Sequence, residues 1–386
     1  MLRSLYSGIS GLRSHQTMLD VTGNNIANVN TTGFKSSAVQ FQDTLSQMLT
    51  GGSAATAGAG STNPAQVGLG VQVAGISTNF SQGAPQATGR ATDLAINGDG
   101  FFAVNLGGET LYTRAGAFTF DELGRLVTSD GGFVQGWGAV GGVVTPGGNA
   151  GTITLPTRSV AGAVATTSAV FEGNLPSDSA IGTVLTRDFT VYDASGVSSV
   201  VPVTFTKTAG GWNAGNGTTV SGELTFTDGV ATGPGTLTIN GIAMDFSKVS
   251  GFAKLDTMKR TSDDGRAAGT LESYSIGPDG TITGAFSNGA IEAIARIALA
   301  TFANAAGLEK VGGSAYRGTV SSGAADLGGP GSEGFGGINA GALEMSNVDL
   351  SQEFTNLIVA QRGFQANARI ITTSDEVLQE LTNLKR

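Results

Sequence analysis

The sequence predicts an α+β protein, mostly β. Helices at its two ends pair as a coiled-coil-like stalk, and two β-rich domains follow, the outer one inserted in the inner one. Three observations predict this. Large apolar residues recur every seven positions near the C-terminus, a shorter helical stripe opens the chain, and the long middle is rich in Gly, Thr and Val with frequent turn signals.

At the front, Leu2, Leu5, Ile9, Leu12 and Leu19 follow a 3,4 spacing interrupted at Gln16. At the back, Leu343, Leu350, Leu357, Phe364, Ile371 and Leu378 repeat without a gap, and a second row, Phe354, Gln361, Ala368 and Asp375, is half apolar. The C-terminal helix is expected to start at Asp349, with Gln352 as its capping-box partner. Unbroken seven-residue spacing favours pairing of the two ends over two helices docked separately on a core, since nothing between them reads as comparably helical. An isolated two-helix stalk is marginal in water, so the ends are expected to order on assembly.

Between the helices, "TGNNIANVNTTGFKSS" (22–37) sets Asn24, Asn25, Asn28 and Asn30 close together before Gly33 and Phe34. Asn tolerates left-handed backbone and its amide both donates and accepts. These amides can end the helix locally or bond between subunits, and spacing alone does not separate the two. Gly33 permits a reversal that Phe34 anchors. A small-residue linker, 50–61, follows.

Strand signals then begin. "VGLGVQVAGISTNF" alternates Val67, Leu69, Val71 and Val73. "DLAINGDGFFAVN" and "LYTRAGAFTFDELGRLVTSDGGFVQGW" read as hairpins, with Asn97-Gly98, Asp99-Gly100 and 121–124 as turns. A boundary is expected near Pro146. The middle pairs strands within "FTVYDASGVSSVVPVTF", with Val201, Val203 and Phe205 on one face, and within "LTFTDGVATGPGTLTI". "IEAIARIALATFAN" reads as a helix or a buried strand. Glycine-rich joints at 141–151 and 321–337 are expected to let layers tilt. The resulting division is 1–70 with 342–386 for the helical assembly domain, 71–146 with 271–341 for the inner β domain, and 147–270 for the insert.

Chemistry is sparse. Of 386 residues only 13% are charged and 61 are Gly, and such surfaces bury against one another with few ions to desolvate. A net charge of −9 without a basic run argues against nucleic acid. No stretch has the length of a membrane span. Cysteine is absent, and His15, the one histidine, falls on the polar side of the first helix, where solvent is its expected surrounding. Ser-His-Asp and His-metal constellations are therefore not expected. Asp263 and Asp264 precede Gly265 in turn language, so a solvated loop is expected in place of an acid/base pair. Gly98 and Gly100 form a GxG without a helix behind it. Trp137 and Trp212 are expected to pack in a core or interface. No cofactor, metal or catalytic site is expected, and the segment "MLRSLYSGISGLRSHQTMLD" lacks the apolar core of a secretion signal.

As an ordered set, "GNNIANVNTTGFKSS", "VGLGVQVAGI", "GRATDLAINGDGFFAV", "YTRAGAFTFDELGRLV" and "GALEMSNVDLSQEFTNLIVAQRGFQANARIITTSDEVLQELTNL" closely resemble the bacterial flagellar rod and hook family. Length and the insertion are similar to its hook branch; the distal-rod branch is the alternative, and the 45–66 segment is similar to an extra stretch of that branch. A surface adhesin with a helical stalk would need an anchor or export signal. The resemblance implies a self-polymerising structural subunit of the extracellular hook, exported without a cleaved signal through the flagellar type III apparatus. Its implied partners are copies of itself, a hook cap protein, the distal rod protein and the hook–filament junction protein. Self-assembly would rest on Leu2, Leu5, Ile9, Leu12, Leu19, Asn24, Asn25, Asn28, Gly33, Phe34, Leu350, Leu357, Phe364, Ile371 and Leu378.

Overall fold

The structure is a computed structural model that describes residues 2–52, 54, 60–155 and 160–383. Part of the 50–61 linker lies outside the described residues. Two long helices, α1 (Leu2–Ala27) and α2 (Leu350–Asn383), bracket a chain that is otherwise mostly strand. Two compact units result: Met1–Leu155 with Ser275–Thr283 and Ala293–Arg386, and Pro156–Tyr274 with Gly284–Glu292.

In the first unit α1 and α2 pack together. Their contacts run in opposite directions, Gly8 and Gly11 facing Ile371 and Asn367 while His15 faces Gly363, so the pair is antiparallel. Helix α2 starts where expected. Asp349 Oδ1 accepts the Ser351 and Gln352 amides at 2.8 and 3.3 Å, satisfying donors the first turn leaves free. The capping box does not form, because the Gln352 side chain donates forward to Asn356.

Strand Ser37–Asp43 pairs antiparallel with Val71–Thr78, and both pack on α1. The alternation through 67–78 is thus split. Gly70, at φ +125°, ends one strand, Ala65–Gly68, before Val71 opens another in a different sheet. The main sheet of this unit runs, in spatial order, Phe133–Gly138, Phe101–Leu106, Glu109–Thr113, Ala315–Arg317 and Glu309–Gly312. Phe102, Phe118, Leu126 and Val134 are buried within the unit, and Phe102 meets Phe118 edge-on at 5.0 Å. The 121–124 turn closes the hairpin of Phe118–Phe120 and Leu126–Thr128, as expected. "DLAINGDGFFAVN" is not a hairpin. Leu94–Asn97 pairs instead with Gly337–Ala340, just as Pro85–Ala87 pairs with Ala342–Glu344. "IEAIARIALATFAN" forms strands, Ile291–Ile297 and Leu299–Thr301.

The two glycine-rich joints differ. At 141–151 an added Cβ on Gly141, Gly147, Gly148 or Gly151 would meet nothing within 4 Å. In 321–337 some glycines are in contact: a Cβ on Gly328 would lie 2.3 Å from the Phe335 ring, and one on Gly336 would lie 2.6 Å from the Asn97 carbonyl, whereas one on Gly323, Gly331 or Gly334 would meet nothing within 4 Å. Gly328 and Gly336 there allow close approach of neighbouring segments.

The second unit is a sheet ordered Val184–Tyr192, Ser198–Lys207, Gly211–Gly215, Val220–Thr227, Val230–Ala231, Ile242–Ser250, Ser168–Asn174 and Lys259–Asp263. Val184–Tyr192 and Ser198–Lys207 pair as the sequence predicts, with Val203 and Phe205 buried and Val201 packed against them. Within "LTFTDGVATGPGTLTI" only the first half is a hairpin, since Thr236–Ile239 pairs onward with Ile242–Ser250. Trp212 is fully buried here, and Phe171 stacks on Phe246 at 5.0 Å. Asp263 and Asp264 hold separate partners. Asp263 takes Arg260 at 3.0 Å. Burial opposes ionisation of Asp264, but bonds from the Thr167 hydroxyl and the Thr167 and Ser168 amides outweigh it and hold the carboxyl at about 2.

Phe171→Ala removes a fully buried ring from this core. It is expected to lower the stability of the second unit by about 3–5 kcal/mol, read by chemical denaturation followed through Trp212 fluorescence.

Candidate assembly surface

The sequence places large apolar residues at the α1–α2 seam; the structure brings Ile370 and Ile371 against Gly8 there but leaves the other large residues half-buried or exposed. The buried positions of α1 are Gly8, Gly11, Ser14, Thr22 and Asn25, whereas Leu5, Ile9, Leu12 and Leu19 are only half-buried. Leu2 lies on α1, but its side chain falls outside the described residues. A Cβ on Gly11 would sit 2.7 Å from Asn367 Oδ1, and one on Gly363 would sit 2.5 Å from the His15 ring. The helices meet where side chains are smallest, and this pushes the leucines to the flanks.

Helix α2 shows the same displacement. Leu357, Phe364, Ile371 and Leu378 are half-buried and Leu350 is exposed, while Ala360 is its one buried residue among those described. The second inward row is Glu353, Ala360, Asn367 and Ser374. The expected row beginning at Phe354 is turned by one residue: Phe354 is 51% exposed, and Ile358 and Val359 join it on the outside. His15 is not solvated either. Its ring lies 5.9 Å from that of Phe41, and its Nδ1 is buried without a partner.

The asparagines divide by role. Asn25 is buried and fully used: its Nδ2 donates to the Ser37 carbonyl at 2.8 Å and to Glu353 Oε1 at 3.1 Å, and its Oδ1 accepts the Ser37 amide at 3.0 Å. One amide thereby ties α1 to α2 and to the first strand. Asn28 closes the helix end, donating to the Asn24 carbonyl at 2.9 Å and accepting Thr31 Oγ1 at 3.0 Å. Asn24 stays exposed. Gly33 turns the chain at φ +66°, donates its amide to the Glu344 carbonyl at 2.8 Å, and lies so close to the sheet that a Cβ would be 2.4 Å from the Ala115 nitrogen. Lys310 Nζ lies over the Phe34 ring at 5.1 Å, and burial lowers the Lys310 pKa.

Three ionisable residues at this junction carry no motif. Lys35, Glu344 and Arg114 are 0%, 1% and 3% exposed at their side chains. Glu344 Oε1 accepts Lys35 Nζ at 2.6 Å and the Gly83 amide at 2.8 Å, while Oε2 accepts Arg114 Nη1 at 3.3 Å. Lys35 also donates to the Ser81 carbonyl at 2.7 Å. Burial lowers the Lys35 pKa; Glu344 opposes this by hydrogen bond and charge, and Arg114 adds to it. Burial also raises Tyr316 well above the ordinary phenol range. The sequence held one signal for the cluster. Lys35 is the lone charge between Asp20 and Asp43, and Glu344 the lone charge between Glu333 and Asp349. Asn347 reinforces the junction, accepting the Ser36 amide at 2.8 Å and donating to the Asn79 carbonyl at 2.8 Å.

No cluster of three potential metal ligands occurs among the described residues, nor is any described helix long and apolar enough to cross a membrane. Three family models match in chain order: the flagella basal body rod protein model over 5–35, the flagellar hook protein FlgE/F/G D1 domain over 95–171, and the flagellar basal body rod FlgEFG protein C-terminal model over 339–384. Flagellar hook protein FlgE of Borreliella burgdorferi is 39% identical, with all of both chains covered. The chain belongs to the flagellar hook and rod protein family. Flagellar hook protein FlgE of Salmonella typhimurium is 37% identical over 99% of this chain and all of its own. Flagellar basal-body rod protein FlgG of Bacillus subtilis is 38% identical over all of both chains. A solved structure of a family member, Helicobacter pylori flagellar hook protein FlgE2, has TM-score 0.48 and 15% identity over 67% of this chain and all of that one.

Removing the lone carboxylate leaves two buried cations, so Glu344→Ala is expected to cost about 3–5 kcal/mol. Lys35→Met leaves the Arg114–Glu344 pair in place and is expected to cost clearly less. The lowered Lys35 pKa also sets a pH dependence. Between that value and 10.5 the unfolded chain holds the proton more tightly, so Lys35 makes stability rise with pH across this window. Denaturant titrations from pH 7 to pH 10.5 should show that increment in the natural chain and not in Lys35→Met.

Proposed function

We propose that this chain is the structural subunit of the flagellar hook, polymerising into a curved tube that passes torque from the rod to the filament as a universal joint. The observation that carries this is the outer face of α2. Phe354, Ile358 and Val359 are 51%, 56% and 54% exposed on a helix whose seam is already made by small residues. A face of that kind beside a closed seam is surface to be covered by further copies.

The full-length hook-named relatives favour the hook over the distal-rod alternative. The family is one of structural flagellar proteins, which agrees with a chain whose polar clusters tie segments together. In this reading 1–70 with 342–386 form the assembly domain, 71–146 with 271–341 an inner layer, and 147–270 an outer layer. The large apolar residues of α1 and the seven-residue row of α2 would act between copies, while Asn25 and Gly33 act within one. The ends order on assembly. The open 141–151 joint is where layers can tilt as the tube bends. A hook cap protein, the distal rod protein, the hook–filament junction protein and the type III export apparatus are the expected partners, with the subunit extracellular once exported without a cleaved signal.

Phe354→Ser combined with Ile358→Ser changes only exposed side chains, so the monomer should keep its circular dichroism. Under conditions in which the natural chain forms tubes by electron microscopy, this variant is expected to stay dispersed. Tubes of normal length and number would count against assembly through α2.

A further inference from the structure

Asparagine followed by glycine is chemically fragile, and the chain holds four such pairs: Asn97-Gly98, Asn216-Gly217, Asn240-Gly241 and Asn288-Gly289. With no side chain on the glycine, its backbone nitrogen can reach the asparagine Cγ. How readily it does so depends on how firmly the amide and that nitrogen are already engaged.

Three of the pairs are held. Asn216 Oδ1 accepts the Thr218 and Thr219 amides at 3.0 and 2.8 Å, and its Nδ2 donates to Asn240 Oδ1 at 2.9 Å, so these two side chains secure one another. Asn240 also sits at φ +50° in the tight turn between Ile239 and Ile242. Asn288 donates to the Ala267 carbonyl at 2.8 Å and accepts the Ala290 amide at 3.1 Å. The Gly289 nitrogen beside it donates to the Phe286 carbonyl at 2.9 Å.

Asn97 differs. It ends the strand Leu94–Asn97, is exposed, and its side chain makes no hydrogen bond among the described residues. The Gly98 nitrogen donates to Gln82 Oε1 at 3.2 Å, and Gln82 Nε2 donates to the Ile96 carbonyl at 3.2 Å. Gln82 is itself exposed.

We propose that Asn97-Gly98 is a site of spontaneous covalent modification, with water as the co-reactant and Gln82 as its brake. Hydroxide takes the Gly98 amide proton, and the nitrogen attacks Asn97 Cγ. The new C–N bond closes a five-membered imide, and the Cγ–Nδ2 bond breaks to release ammonia. Water then opens the ring at either carbonyl, leaving aspartate or isoaspartate with no change of oxidation state. Gln82 slows the first step, because an N–H given to an acceptor in its neutral form is harder to deprotonate.

The position gives the reaction a consequence. Asn97 pairs with Gly337, and a Cβ on Gly98 would lie 3.1 Å from Gly336 Cα. Isoaspartate lengthens the backbone by one carbon at this close approach and so shifts the register of the pair. Either product also sets a new carboxylate two residues from Asp99. The strand it loosens, Gly337–Ala340, leads directly to Glu344. All of this occurs within one copy and stands whether or not copies polymerise.

The natural chain is held folded in mildly alkaline buffer and, as the reference for each site's intrinsic rate, unfolded in guanidinium. Peptide mapping by mass spectrometry follows amide-to-acid conversion at each pair, and isoaspartyl methyltransferase labels the isoaspartate. Relative to the unfolded chain, Asn97 is expected to convert at least about tenfold faster than the other three, the factor that about 1.4 kcal/mol of extra hydrogen-bond breaking corresponds to. Gln82→Ala should speed Asn97 severalfold and leave the other three rates unchanged, whereas Gln82→Glu, which keeps an acceptor, should stay at or below the natural rate. Conversion at Asn97 no faster than at the held pairs overturns the site. A rate at Asn97 that Gln82→Ala does not move, or acceleration of all four alike, overturns the brake.

Discussion

Two cations and one carboxylate, stripped of water together, hold both ends of this chain against its sheet. Lys35 follows α1, Glu344 precedes α2, and Arg114 directly follows the strand Glu109–Thr113 of the main sheet. Ionic clusters of this kind contribute little net stability but are costly to break, because losing one partner leaves a bare buried charge. Gly33 and Asn347 work on the same joint, one by donating to the Glu344 backbone and the other by bonding both flanks. The positions of the helices and the outer face of α2 are set from there.

How much was legible in the sequence depended on whether the signal was local. The α2 repeat was legible because large residues advertise a stripe, and the Asp349 cap because its chemistry is complete within four residues. The seam was not, because Gly8, Gly11 and Gly363 carry no hydrophobic signal; only the approach of a second helix gives them meaning. Strand identity within Leu94–Asn97 was legible too, but its partner was not, since Gly337–Ala340 lies far along the chain. His15 was misplaced for a related reason. A polar residue on a helix looks solvated until Gly363 and Phe41 are known to close over it.

The candidate site divides along the same line. Asn28 and Gly33 act as their local chemistry suggests, ending a helix and reversing the chain. Asn25 bonds a residue 328 positions away, and no spacing rule could have selected it from its three neighbours. Small residues inside and large residues outside is the reverse of an isolated globular helix pair. That inversion suits a molecule whose complete core is shared among copies.

Lys35 and Glu344 stand 309 positions apart. A chain delivered front end first therefore lacks this counter-ion for its early lysine until a further 309 residues have followed. Any premature closure around residues 33–37 would strand a bare charge in a dry pocket, so the last segment to arrive is also the one that permits the first to settle. Glu344 thus sets the earliest moment at which the joint around Lys35 can close.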